Sequence, residues 1–151
     1  MSLQLVRILD ALPDGFEALR RDAEAEGWRH MTRLAEDWAS GAQRFDAPGA
    51  ALLAARLGGR LAAVGGLTPE PASPPEPALR LRRVYVAPDL RRQGVGMALC
   101  NALLQEALDQ VKLVTVHAPD PLAAAFWEAQ GFVAQSGQAW SHAFRPLTSG
   151  G

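Results

Sequence analysis

In the segment Val84-Tyr85-Val86-Ala87-Pro88-Asp89-Leu90-Arg91-Arg92-Gln93-Gly94-Val95-Gly96, a strand-forming run passes through an Arg- and Gly-rich turn into a helix-forming stretch. Such a turn suits an anion. The first amides of a helix lack intrahelical acceptors and lie at the positive end of its dipole, and glycines let the backbone approach oxygen atoms closely. Arg91 and Arg92 add positive charge at the same place. On chemistry alone the segment specifies phosphate or carboxylate. Two commoner phosphate loops fail on residue identity. A P-loop requires Lys-Ser or Lys-Thr after its second glycine, where this chain has Met97-Ala98, and a dinucleotide fingerprint places Gly or Ala at Leu99. The plain alternative is a strand-to-helix turn with solvated arginines.

Other reactive side chains are scattered. His117 ends an apolar, β-branched run and is either a proton relay or a polar strand end. Tyr85, the only tyrosine, serves as an acid only if its hydroxyl faces the reacting atoms; packing is the alternative. Cys100 lies inside an apolar helical stretch, where a buried small side chain is the ordinary reading. Glu24, Glu26, Glu36 and Asp37 form an acidic stretch that suits a cationic amine, a water-linked base or a solvated helix face. Trp28, Trp38 and Trp140 are candidates to line an acceptor cavity, although their spacing also fits core. Arg80, Arg82 and Arg83 cluster with Arg91 and Arg92; a polyanionic cofactor accounts for this better than a nucleic-acid patch. His30 and His142 stand far from His117 in the chain, and no His, Asp or Glu spacing matches a metal site, so no metal is expected.

The elements that must position these residues follow from periodicity. Leu3 to Leu9 reads as a partly buried strand that Pro13-Asp14-Gly15 breaks. Phe16, Leu19 and Ala23, then Met31, Leu34, Ala35 and Trp38, recur at helical spacing and predict two helices with a break near Gly27. Ala50 to Leu57 and Arg60 to Leu67 flank Gly58-Gly59, a two-residue hairpin signal. A proline-rich loop covers Thr68 to Ala78. Leu79 to Val86 is a strand, Val95 to about Gln110 a helix, Val111 to His117 a strand, and Pro121 to Gln130 a helix ended by Gly131. Two closing strands, Phe132 to Ser136 and Ala139 to Phe144, flank a Gly137-Gln138 turn, and Thr148 to Gly151 reads as a frayed tail. The expected fold class is α/β (α+β): a mixed, mostly antiparallel sheet of about seven strands with helices on both faces.

Composition agrees with a globular chain. Its 151 residues fit one domain, 1–151, and 48% apolar against 21% charged residues is too hydrophobic for disorder. Fifteen Lys plus Arg against sixteen Asp plus Glu disfavour a dedicated nucleic-acid binder. One cysteine excludes an intrachain disulfide, no signal-peptide pattern opens the chain, and no apolar run approaches the ~18 residues of a membrane span. The expectation is a cytoplasmic protein with no membrane partner.

Arg91-x-x-Gly94-x-Gly96, preceded by Val-Tyr-Val and followed by an amphipathic helix, resembles the pyrophosphate-binding motif of the GNAT N-acetyltransferase family. Strand Val111 to His117 followed by Ala123-x-x-Phe126-Trp127-Glu128-Ala129-Gln130-Gly131-Phe132 resembles that family's last helix and its Gly-Phe ending. The likeness covers Ala50 to Phe144; the helical pair before it matches the variable acceptor-binding region only in kind. The resemblance implies an acyl-CoA N-acyltransferase-like fold with acetyl-CoA as co-substrate. It implies that main-chain groups of Val84 and Val86, around Tyr85, pair with the pantetheine arm. Amides from Arg91 through Arg92, Gln93, Gly94, Val95 and Gly96 to Met97 then hold the pyrophosphate, with the Arg91 and Arg92 side chains available to its oxygens. Phe126 and Asp120 join the cofactor site, Asp120 standing where the family often has asparagine. Trp127 stands where many relatives place a tyrosine acid, and an indole cannot deliver a proton to sulfur. The implied activity is direct attack of a small-molecule or peptide amine on the thioester in a ternary complex. A non-catalytic acyl-CoA-binding module is the alternative, a nucleotide-phosphate enzyme lacks any base-recognition feature here, and a homodimer is compatible with the family.

Overall fold

The computed structural model describes residues 2–147, so the expected frayed tail lies outside the described residues. In chain order the elements are β1 (Leu3–Arg7), α1 (Phe16–Ala25), α2 (His30–Ser40), β2 (Ala51–Leu57), β3 (Arg60–Pro69), β4 (Ala78–Val86), α3 (Val95–Leu108), β5 (Leu113–Val116), α4 (Pro121–Ala129), β6 (Val133–Ala134) and β7 (His142–Phe144). A 3-10 turn at Pro88–Leu90 links β4 to the glycine loop. The seven strands form one mixed sheet in the order β1-β2-β3-β4-β5-β7-β6. Only β4 and β5 run parallel; every other neighbouring pair is antiparallel.

Alternation along β2 shows how the sheet acquires two cores. Ala51, Leu53 and Ala55 join a cluster with Leu99, Leu103, Val114 and Trp127 on the α3–α4 face. Leu52 and Ala54 point the other way, to Phe16, Leu19, Met31, Leu34 and Trp38 of α1 and α2. The β2–β3 register is set at its turn, where Gly58 (φ 59°) and Gly59 (φ 82°) supply the positive φ pair that a tight hairpin requires. The closing strands are shorter than expected. Pairing is confined to Val133–Ala143 and Ala134–His142, and beyond it Gln135 N donates to Ser141 O and Trp140 Nε1 to Gln135 Oε1, so a closed loop replaces the outer ladder.

Two features of β4 create a gap. Its parallel pairing with β5 covers Ala78–Leu113, Leu79–Val114 and Arg80–Thr115 and goes no further towards Val86. On its other edge, Val64 pairs with Tyr85 but Gly66 with Arg82, so Gly65 alone opposes both Arg83 and Val84. Arg83 has φ 59°, the left-handed residue of this bulge. The Gly65-Gly66 step is what makes room for it. A Cβ on Gly65 would lie 3.1 Å from Leu103 and 3.2 Å from Val84, and one on Gly66 would lie 2.3 Å from the Phe45 ring. Among the described residues no helix is long and apolar enough to cross a membrane.

Candidate active site

The splayed strands open onto a cleft of about 1050 Å3 that runs from the start of α3, past β4, to the α1–α2 junction. Val84, Tyr85, Val86, Arg91, Arg92, Gly94, Val95, Gly96, Met97, His117, Asp120 and Phe126 all line it; Gln93, in the same loop, is exposed but not part of the wall.

At the α3 end, Gly94 is the N-cap residue with φ 78°; no side chain caps the helix and no acidic residue occupies its first turn. Its leading amides are therefore left to an external acceptor. A Cβ on Gly94 would meet nothing within 4 Å, whereas one on Gly96 would lie 3.2 Å from Val86, so the second glycine brings the helix against the strand. Arg92 (φ 65°) is also left-handed, which turns successive amides of the loop towards one concavity. An uncapped N-terminus facing open space, with an exposed Arg92 beside it, fits a polyanion such as the diphosphate of CoA.

The Arg91 side chain is engaged elsewhere. Its guanidinium makes a bidentate pair with Glu26, at 2.6 and 2.8 Å, and its Nε donates to Val86 O at 3.2 Å. The guanidinium also lies over the Tyr85 ring, 5.4 Å from its centroid. Local structure explains Glu26. Gly27 N donates to Glu24 O and Trp28 N to Ala23 O, a Schellman closure around Gly27 (φ 89°) that leaves Glu26 as the C-cap of α1. A carboxylate is unfavourable at that end of the dipole, and α1 has no basic residue in its last turn, so Arg91 supplies the missing cation. The Arg91 hydrogen bond holds the Glu26 carboxyl below its ordinary range, against the effect of burial.

Tyr85 points to the α1–α2 face, buried, and its hydroxyl donates to the Glu26 carboxylate. Burial, followed by that hydrogen bond, raises the phenol well above its usual value, which makes it a poor acid. His117, one residue beyond β5, is exposed on the opposite wall. Asp120 reaches the cleft, but its Oδ1 accepts from Ala123 N at 2.8 Å and caps α4. Trp127 is buried edge-on to Phe126 and Phe132 and, although it borders the cleft, its indole offers no acid to a departing sulfur. Burial pushes the Cys100 thiol up to about 12, which leaves it inert.

His30, which sequence reasoning set aside, stands at the first position of α2 and lines the cleft. Its Nε2 lies 3.0 Å from Val84 O. A carbonyl only accepts, so Nε2 carries the proton and Nδ1 is bare in the neutral ring. Burial, then the neighbouring Arg83 and Arg33 charges, hold the ring below its ordinary pKa of 6.5. Ala87 N donates to Ala62 O across β3, so by strand alternation the polar groups of Val84 and Val86 face the gap. Each of those two carbonyls already accepts one side-chain bond, from His30 and from Arg91, and retains a second lone pair.

Acidic and aromatic candidates sort differently from their spacing. Glu24 accepts from Thr32 and Asp37 lies 3.8 Å from Arg83, so these carboxylates, like Glu26, already face partners. Trp28 lines the cleft; Trp38 packs beneath α2, and Trp140 belongs to a small cluster with Ala78, Leu113 and Ala143. The α2 side of the cleft is instead lined by Arg29, Arg33, Arg82 and Arg83 around His30.

A family model described as the acetyltransferase (GNAT) family matches residues 12–132. A search of curated proteins matched none to this chain. Among solved structures, a protein assigned as an acetyltransferase from Exiguobacterium sp. 255-15 superposes with TM-score 0.84 at 23% identity, covering 96% of this chain and 94% of its own. A GNAT-family protein from Desulfovibrio desulfuricans gives 0.70 at 18% identity, with 95% and 99% covered. A GNAT family acetyltransferase from Brucella melitensis in complex with acetyl-CoA gives 0.64 at 13% identity, with 95% and 88% covered. At these identities the likeness is one of fold.

Proposed function

Because the chain belongs to the GNAT acetyltransferase family, we propose that it is an acetyl-CoA-dependent N-acetyltransferase in which an acceptor amine attacks the thioester directly. The observation that carries this reading is the through-going cleft at the β4–β5 split, with an uncapped helix N-terminus at one end and a neutral imidazole at the other. Bound there, acetyl-CoA supplies the activated acyl group. The amides of Val95, Gly96 and Met97 and the Arg92 side chain receive its phosphates, and Phe126 borders that end. The gap-facing edge at Val84 and Val86 aligns the pantetheine arm as an added strand would be aligned. His30 Nδ1 takes the proton from the acceptor ammonium, and Nε2, anchored on Val84 O, keeps the ring in the tautomer that accepts at Nδ1. On the opposite wall His117 returns a proton to the departing sulfur or leaves it to solvent; Tyr85, bonded to Glu26, does not take that part.

A second reading, a non-catalytic acyl-CoA-binding module, is favoured by one observation: Trp127 is buried where relatives carry an acid, and Tyr85 is engaged. Thermal melting with acetyl-CoA, CoA and ATP tests the shared premise, and Gly94→Trp, placed in open space, obstructs the cradle. Stabilisation by both CoA species and not ATP, lost in the folded variant, supports the site. Acceptor-dependent thiol release then separates enzyme from module, and no shift at saturating acetyl-CoA sinks both.

A further inference from the structure

The α2 side of the cleft carries positive charge that the protein itself does not neutralise. Arg80 pairs with Glu70, a buried carboxylate 2.5 Å away that also accepts from Thr115 and the amide of Ala72, while the buried Arg80 Nε has no partner among the described residues. Arg83 faces Asp37 at 3.8 Å, beyond hydrogen-bonding distance. Arg82, half-buried on β4, and Arg33, exposed on α2, pair with no carboxylate among the described residues. Four guanidinium groups thus share two carboxylates. Burial, followed by the neighbouring arginines, lowers the proton affinity of both Arg82 and Arg83, a sign that each cation is crowded by the next.

Half-burying an unpaired guanidinium beside two others is unfavourable unless something external neutralises it. The arrangement is also directional. Arg82 stands two residues before Val84, whose carbonyl holds His30, and Arg33 stands three residues after His30 on α2, so both cations and the imidazole line the same stretch of the cleft. We infer that the acceptor is a short amine that carries its own carboxylate or phosphate, received by Arg82 and Arg33 while its amino group meets His30. Polyamines and lysine-rich peptides are correspondingly disfavoured, because their second cation would meet an arginine wall. The inference rests on the acetyltransferase reading and narrows its substrate class.

The test is thiol release by the full chain with acetyl-CoA and matched acceptors. Amino acids and phosphoethanolamine are set against alkylamines and diamines of the same length, with Arg82→Gln and Arg33→Gln alongside. The wild type is expected to favour the anionic amines at least tenfold in kcat/KM, and each variant to lose most of that preference through KM while its acetyl-CoA melting shift stays. Separate carboxylate and phosphate arms distinguish the two anion classes. A binding readout runs in parallel. With CoA saturating, inorganic phosphate at constant ionic strength is expected to stabilise the wild type and not Arg82→Gln. Equal or greater use of diamines, or an anion response that Arg82→Gln leaves intact, overturns the inference while the acetyltransferase reading stands. An absent acetyl-CoA shift would instead remove that reading and this inference with it.

Discussion

Replacing Glu26 by Gln should move folding stability and cofactor affinity in opposite directions. The carboxylate holds Arg91 through two bonds and accepts the Tyr85 hydroxyl. The ion pair is partly solvated, with side chains 31% and 42% exposed, so its loss costs only about 0.5–1 kcal/mol. A neutral amide oxygen keeps the Tyr85 bond but weakens it by about 1 kcal/mol relative to a charged acceptor. The total, about 1.5–2 kcal/mol, corresponds to a fall in Tm of roughly 3–8 °C for a chain of this size. CoA affinity should rise. Glu26 stands about one arginine side chain from the phosphate loop, and removing a unit negative charge about 8 Å from a doubly charged diphosphate in an aqueous cleft gains about 1 kcal/mol, roughly fivefold in Kd. Thermal melting gives the first quantity and calorimetric CoA titration the second. Weaker CoA binding in the variant would refute the reasoning, because it would mean that Glu26 orients Arg91 towards phosphate rather than holding it away. An unchanged Tm would refute the role given to the pair at the end of α1.

His30→Gln should lower kcat by about 10²–10⁴ and remove an acid limb that the wild-type rate profile shows below pH 6.5, as checked by pH-dependent thiol release. The same residue predicts a stability trend. Its folded pKa lies below the unfolded one, so the unfolded chain binds more protons as pH falls through 6.5; the wild type should lose stability there relative to His30→Gln in paired melts. Gly66→Ala forces a Cβ to 2.3 Å from Phe45, whose backbone is itself left-handed at φ 55°, and should cost about 1–3 kcal/mol by denaturant titration. Gly41→Ala, at φ 81° with no neighbour within 4 Å, is the matched control and should cost only about 1 kcal/mol.

Local signals carried the fold and the glycine-loop end of the cleft. Gly58-Gly59 fixed a hairpin, Gly27 closed a helix, and Gly94 with Gly96 shaped an uncapped N-terminus, each through contacts within a few residues. The His30 end of the cleft was not legible for the opposite reason. His30 and Val84 are 54 positions apart, and Arg91 and Glu26 are 65 apart, so nothing in either neighbourhood announces the partner. Arg91 and Arg92 look equivalent in the chain, yet only Arg91 finds a carboxylate on α1. The acidic stretch suited a cationic amine, a water-linked base or a solvated helix face, whereas Glu26 and Asp37 turn to Arg91 and Arg83 and arginines line the cleft. The bulge had a visible trace in Gly65-Gly66, but two glycines in a strand do not reveal which neighbour gains the extra residue.

That extra residue acts on β4 as an inserted letter acts on a reading frame. Leu79 and Leu81 face α3, and in an unbroken alternation of the same residues Tyr85 would share their side; with the bulge, Val84, three positions after Leu81, takes up the α3 side together with Val86, and Tyr85 turns to α1 and α2. Deleting Arg83 alone would leave plain alternation from Leu81 to Val86, with Val84, Tyr85 and Val86 on the sides they already occupy, so the loss of this half-buried residue should remove the bulge without exchanging inside for outside. The bulge therefore shapes the cleft edge of β4, whereas the sorting of Val84, Tyr85 and Val86 between the two cores would survive its loss.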